Sequence, residues 1–154
     1  MTSTAPSGPP PAITPLGYSH VRLTVTDIGR SKAFYRWLFD IEPARDFTDQ
    51  AGDPTVRDDP QRIYGGCSFR FGDQILGLRP VAPPTDRFDP DRVGLDHVSF
   101  AVGSVQDLRD AAARLTAAGV THGGVVDLPA FGVVILSVQD PDDINLEFAA
   151  PRPA

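Results

Sequence analysis

The sequence holds a single cysteine, Cys67, which rules out an internal disulfide and a thiolate-based zinc site and fits a reducing compartment. Clusters of lysine and arginine are missing as well. The 14 basic residues are outnumbered by 20 acidic ones, for a formal net charge of -6. A phosphate backbone is bound by clustered cations that displace its counterions, so nucleic acid is excluded as a partner. No apolar run approaches the length of a membrane-spanning helix; the best candidates, such as Val133 to Val138, are the size of a strand. The first fifteen residues, Met1 to Pro15, are rich in Pro, Ser and Thr and lack both a basic leader and an apolar segment behind it. They read as a disordered tail. The expectation is a cytoplasmic protein with no membrane partner.

What the sequence does contain is enough apolar material for one core. Hydrophobic residues make up 41% and charged residues 22% of the 154, proportions of a globular chain rather than a disordered or membrane one. A domain of this size hides roughly 70% of its unfolded surface. From Tyr18 to Thr26, Val21, Leu23 and Val25 alternate with His20, Arg22 and Thr24, which predicts a half-buried strand. Asp27 offers a helix cap, and Ala33, Phe34, Trp37 and Leu38 form a helical stripe behind it. A short strand is expected over Ile41 to Phe47, and a long polar loop runs through to Arg62. Strands are then expected over Tyr64 to Phe71 and Gln74 to Arg79, joined by a tight Gly72-Asp73 turn.

Beyond a proline-rich linker the same order of elements returns. Leu95 to Val102 alternates like the first strand, Ser104 and Asp107 form a capping box, and Leu108, Ala111, Ala112 and Leu115 make a helical stripe that Gly119 ends. Strands follow over Val120 to Asp127, Phe131 to Val138 and Ile144 to Ala149. Shifting the chain by 77 residues lays Tyr18-Ser19-His20-Val21 over Leu95-Asp96-His97-Val98, histidine upon histidine. The chain therefore reads as one domain over residues 16–151, with a first module over 16–80, a linker over 81–93 and a second module over 94–151. Each module has the order β-α-β-β-β.

Strand parity places the chemistry. His20 and His97 lie opposite the apolar residues that must meet the helices, and in the last strand Leu146 and Phe148 take the helix side, leaving Glu147 to the face of the histidines. Two imidazoles and one carboxylate on rigid strands suit a divalent metal with positions left open for substrate. Any one of these residues alone is more simply a hydrogen-bonded or solvated side chain; the matched position and facing of the set is what points to a metal site.

The segments Tyr18-Ser19-His20-Val21, Gly94-Leu95-Asp96-His97-Val98 and Asp140-Pro141-Asp142-Asp143-Ile144-Asn145-Leu146-Glu147-Phe148 resemble the vicinal oxygen chelate superfamily. That superfamily includes glyoxalase I, extradiol dioxygenases, methylmalonyl-CoA epimerase, fosfomycin-resistance enzymes and bleomycin-binding proteins. The resemblance runs from about Leu16 to Pro151. It implies an α+β fold of two paired modules forming a cupped, incomplete eight-stranded barrel with the helices outside. It also implies one divalent metal on His20, His97 and Glu147, with Fe, Mn, Ni, Co and Zn all open. A homodimer is implied too, the modules pairing within a chain or between chains. Where glyoxalase I resembles a four-ligand version, Gly77 stands at the fourth position here, so the set is more like that of the dioxygenases and fosfomycin enzymes.

The implied activity is dioxygenase, lyase or isomerase chemistry on a small molecule chelated through oxygens. The alternative is a metal-free, bleomycin-resistance type of protein that sequesters a small molecule. Arg22, Arg70 and Arg79 are candidates for an anionic substrate group, and Tyr64 and Phe131 for the pocket wall. No residue stands out as a general base.

Overall fold

Alternation after Tyr18 becomes strand β1, His20–Thr24, and the chain turns through Asp27 into helix α1, Ile28–Phe39. The Asp27 carboxylate accepts the Arg30 backbone N–H at 3.0 Å, satisfying one of the donors a helix start leaves unpaired. Asp40, at φ 53°, ends the helix in the left-handed conformation. Strands β2 (Arg45–Asp46), β3 (Cys67–Phe71) and β4 (Gln74–Arg79) complete the first module. The second consists of β5 (Val98–Ala101), α2 (Val105–Ala117), β6 (His122–Leu128), β7 (Val133–Gln139) and β8 (Asn145–Pro151). Ser104 caps α2 by accepting the Asp107 N–H at 3.2 Å. The computed structural model describes residues 12–153, so the Met1 to Pro15 tail falls mostly outside the described residues.

Two expected strands are shorter than the alternation predicts. The one expected over Ile41 to Phe47 shrinks to β2. The one expected from Tyr64 starts only at Cys67, because Ile63 and Tyr64 both take left-handed backbone, φ 48° and 60°, from which no ladder can continue. Likewise β7 begins at Val133, after a single 3-10 turn over Pro129–Phe131.

The strands form two four-stranded sheets, ordered β1-β4-β3-β2 and β5-β8-β7-β6. In each, the first and last strands of the module run parallel and the remaining pairs antiparallel. The duplication read from the sequence is thus a duplication of topology. The fold is α+β, and the sheets are not closed into a barrel, as a cupped, incomplete barrel requires.

One continuous core joins the modules. Leu23, Leu76 and Leu78 of the first sheet and Leu136, Val138 and Leu146 of the second are buried together. Phe39, at the end of α1, lies 5.1 Å from Phe100 and 4.9 Å from Phe71, ring centre to ring centre, so one aromatic residue bridges both sheets. A polar latch reinforces it. The Tyr35 hydroxyl donates to Asp140 at 3.0 Å, Thr26 donates its N–H to Asp142 at 2.8 Å, and Arg30 forms an ion pair with the same Asp142. Since helices and core occupy one face of each sheet, side chains of the other parity are left on an open face.

Cys67 belongs to the core side. It is fully buried, and burial, with the Asp46 charge adding to it, pushes its thiol up to about 12. The native protein is therefore expected to leave a chromogenic disulfide reagent unreacted at pH 8, whereas urea should release one thiol per chain. Rapid native reaction would mean that this edge of the first sheet opens readily.

Candidate metal centre

The last strand of the second module carries the carboxylate. In the parallel β5–β8 pair Ser99 lies opposite Glu147, and the Ser99 hydroxyl donates to Glu147 Oε1 at 2.8 Å. His97, two residues before Ser99 and on the same face, places Nε2 3.9 Å from the same Oε1. Its other nitrogen, Nδ1, is hydrogen-bonded to the Asp96 carboxylate. A carboxylate on one ring nitrogen fixes the tautomer and turns the other nitrogen outward, the arrangement found behind metal-binding histidines. Two donors sharing an ion at about 2.1 Å stand roughly 3 to 3.5 Å apart, so a small side-chain rotation fits this pair to a metal. The chemistry of the donor set, nitrogen and charged oxygen, also fits.

His20 occupies the matching place in the first module. There β1 pairs with β4 so that His20, Ile75 and Arg70 form one row across the open face, and Arg22, Gly77 and Ser68 the next. Gly77 stands opposite Arg22 as Glu147 stands opposite Ser99, so the fourth-ligand position inferred from sequence is indeed glycine. Both His20 and His97 border one cavity of about 860 Å³, whose apolar wall includes Val21, Phe71, Leu76 and Phe100. That volume suits a small organic molecule. Yet among the described residues no three His, Cys, Asp or Glu side chains are close enough to share an ion. Within one chain His97 and Glu147 come together and His20 stays apart.

The remaining candidates divide. Arg22 and Arg79 each stand over the ring of Tyr64, with guanidinium carbons 5.0 and 4.0 Å from its centre, and Arg70 lies on the same sheet face as Arg22. Phe131 does not join them. It is 79% exposed and sits in the 3-10 turn before β7, whose first residue, Val133, is already about 13 Å along the strand from Ser137, the neighbour of Glu147. His122 is bound to Thr116 and to the Gly123 carbonyl. Sequence reasoning did not assign roles to Asp96 and Ser99; the signal was present, since both sit within two residues of His97 in the duplicated segment. Arg45, placed by β2 on the open face opposite Ser68, could not be found without the register.

Comparison with known proteins agrees with this architecture. Residues 17–148 match the family model described as Glyoxalase/Bleomycin resistance protein/Dioxygenase superfamily. A solved glyoxylase/bleomycin resistance protein/dioxygenase domain from Frankia sp. EAN1pec is 31% identical, with a TM-score of 0.64 over 90% of this chain and 100% of that one. The fold is shared with lactoylglutathione lyase from Agrobacterium tumefaciens, 20% identical, TM-score 0.61, covering 88% of this chain and 94% of that one. FosX, a fosfomycin resistance protein from Listeria monocytogenes, shares it at 17% identity and TM-score 0.65, over 90% and 93% of the two chains. No curated protein sequence matches significantly.

Proposed function

Because this chain belongs to the glyoxalase/bleomycin resistance protein/dioxygenase superfamily, we propose that it is a divalent-metal-dependent enzyme whose small-molecule substrate is chelated through oxygens. The observation that carries this reading is the His97–Glu147 pair, pre-oriented by Asp96 and Ser99. Such ordering of two donors on the open face of a rigid sheet has no structural purpose, since neither side chain supports the core. A metal held there would polarise the substrate's oxygens and stabilise negative charge developing on them, in dioxygenase, lyase or isomerase chemistry. The protein's own part is to fix the ligands, to wall the cavity with aromatic rings and to leave room beside the ion.

The third ligand is His20 of a second copy. The segments leading into the two first strands are marked in the same way. Leu16 and Val93, 77 residues apart, are both fully exposed, and Tyr18 and Leu95 also present apolar surface. Gly17 and Gly94 between them take φ 153° and 149°, a conformation that glycine alone adopts freely. Exposed apolar side chains at matched positions suit the self-complementary surface of a two-fold dimer.

Mixing two inactive variants tests both statements. Neither His20→Ala nor Glu147→Ala should retain metal by itself. After unfolding together and refolding, heterodimers hold one intact site in which His20 comes from one chain and His97 with Glu147 from the other. Random pairing then restores about a quarter of the wild-type metal content. Wild type that elutes as a monomer, or a mixture as empty as its parents while wild type loads, defeats the shared site. Wild type that takes up no Fe, Mn, Ni, Co or Zn defeats the metal reading itself.

A further inference from the structure

Four arginines occupy the open face of the first sheet. The register puts Arg22 opposite Gly77, Arg79 opposite Thr24, Arg70 opposite Ile75 and Arg45 opposite Ser68. All share the side of His20. Among the described residues none of the four forms an ion pair, although acidic residues outnumber basic ones in the chain. Of the ten other lysines and arginines, seven pair with a carboxylate, so unpaired cations are concentrated on this face.

We propose that the substrate of this site carries an anionic group, a carboxylate or a phosphoryl group, held by Arg22 and Arg79 against Tyr64. The inference rests on the preceding reading of the site as a small-molecule one and adds the class of molecule. Two guanidinium groups over one aromatic ring repel each other, and the ring's attraction offsets this only in part. A bound anion removes the repulsion and accepts their paired N–H donors in the forked geometry that carboxylates and phosphates match. Arg79 Nε is moreover buried without a hydrogen-bond partner, a donor that the isolated chain leaves unsatisfied.

The backbone is built around this stack. Tyr64 reaches it from two consecutive left-handed residues, of which Ile63 is β-branched and anchored in the core at 6% exposure. Gly77 gives the Arg22 side chain its place, since a Cβ there would come within 3.3 Å of Arg22 Nε. In the first sheet Gly77 stands at the position equivalent to Glu147, and the guanidinium of Arg22 lies opposite it where the second sheet has Ser99.

The test is calorimetric titration of the full-length protein, stripped of metal and dialysed free of chelator, with inorganic phosphate in one series and benzoate in a second, at low ionic strength. One saturable site per chain is expected, and the tighter of the two anions identifies the group. Arg22→Met, on an exposed position, and Arg79→Lys, which keeps the charge but loses the planar fork, should each weaken binding about tenfold. Arg109→Met, on the exposed face of α2, should change nothing. The proposal is overturned if wild type binds neither anion, or if Arg22→Met binds them as well as wild type does. Metal uptake, measured after reloading a portion of each preparation, is expected to stay at the wild-type level in Arg22→Met. Normal metal loading without anion binding removes the substrate class alone, whereas anion binding without metal loading removes the metal reading alone.

Discussion

Glu147→Gln is expected to lower metal affinity at least about 100-fold, because it removes the only charged donor of the set while keeping its shape. The Glu147 side chain lies on the open face of β8, touched by Ser99 and His97 rather than by the core, so the substitution should leave thermal unfolding within about 0.5 kcal/mol of wild type. This separation of effects is what distinguishes a ligand from a structural carboxylate. Ser99→Ala, which frees Glu147 to rotate, should cost about tenfold in affinity. Competition with a chromogenic chelator measures both. Unchanged affinity in Glu147→Gln would show that the carboxylate is an ordinary partner of Ser99 and that any metal binds elsewhere.

The largest loss of stability should come from Asp140→Ala, far from the chemistry. Asp140 is 4% exposed, and its two oxygens accept the Tyr35 hydroxyl at 3.0 Å and the backbone N–H groups of Asp142 and Ile144 at 2.8 Å each. Alanine leaves these donors without a partner at the junction of α1 with the β7–β8 turn, where the modules are latched together. A penalty of about 3 kcal/mol follows, even allowing for water to enter. Asparagine keeps one acceptor oxygen for the two backbone donors and turns its amide towards Tyr35, so it should cost far less.

The pH dependence of the asparagine variant has a definite sign. Burial raises the Asp140 carboxyl above its ordinary range, outweighing the hydrogen bonds that lower it. A carboxyl that holds its proton more tightly when folded costs no stability below its unfolded pKa, about pH 4. The cost develops as pH rises through the window above that value and is complete beyond the folded pKa. Asparagine never ionises, so urea unfolding should show Asp140→Asn gaining on wild type as pH rises above about 4. A difference that is flat across this range would mean that Asp140 titrates alike in both states.

Much of the architecture could be read directly. Period-two alternation around His20 and His97 set their facing, the 77-residue repeat set the module order, and parity in the last strand separated Glu147 from Leu146 and Phe148. These are properties of consecutive residues, and a strand's pleat converts them into geometry without further information. The caps at Asp27 and Ser104 were legible for the same reason, since each helix start is decided by the few residues around it.

Other features depend on which strand lies beside which. Alternation could not reveal that Ile63 and Tyr64 leave the extended region, because the requirement comes from packing Ile63 inside while Tyr64 meets two arginines on the far face. Arg45 and Gly77 acquired meaning only once register placed them opposite Ser68 and Arg22. Above all, the sequence put three metal-capable side chains on equivalent faces, but equivalence of facing is not proximity. The pairing of β5 with β8 decided that His97 and Glu147 adjoin, while His20 stands on the other sheet. Local pattern specifies direction, whereas distances between remote segments are set by how the shared core fills, and that is a property of the whole chain.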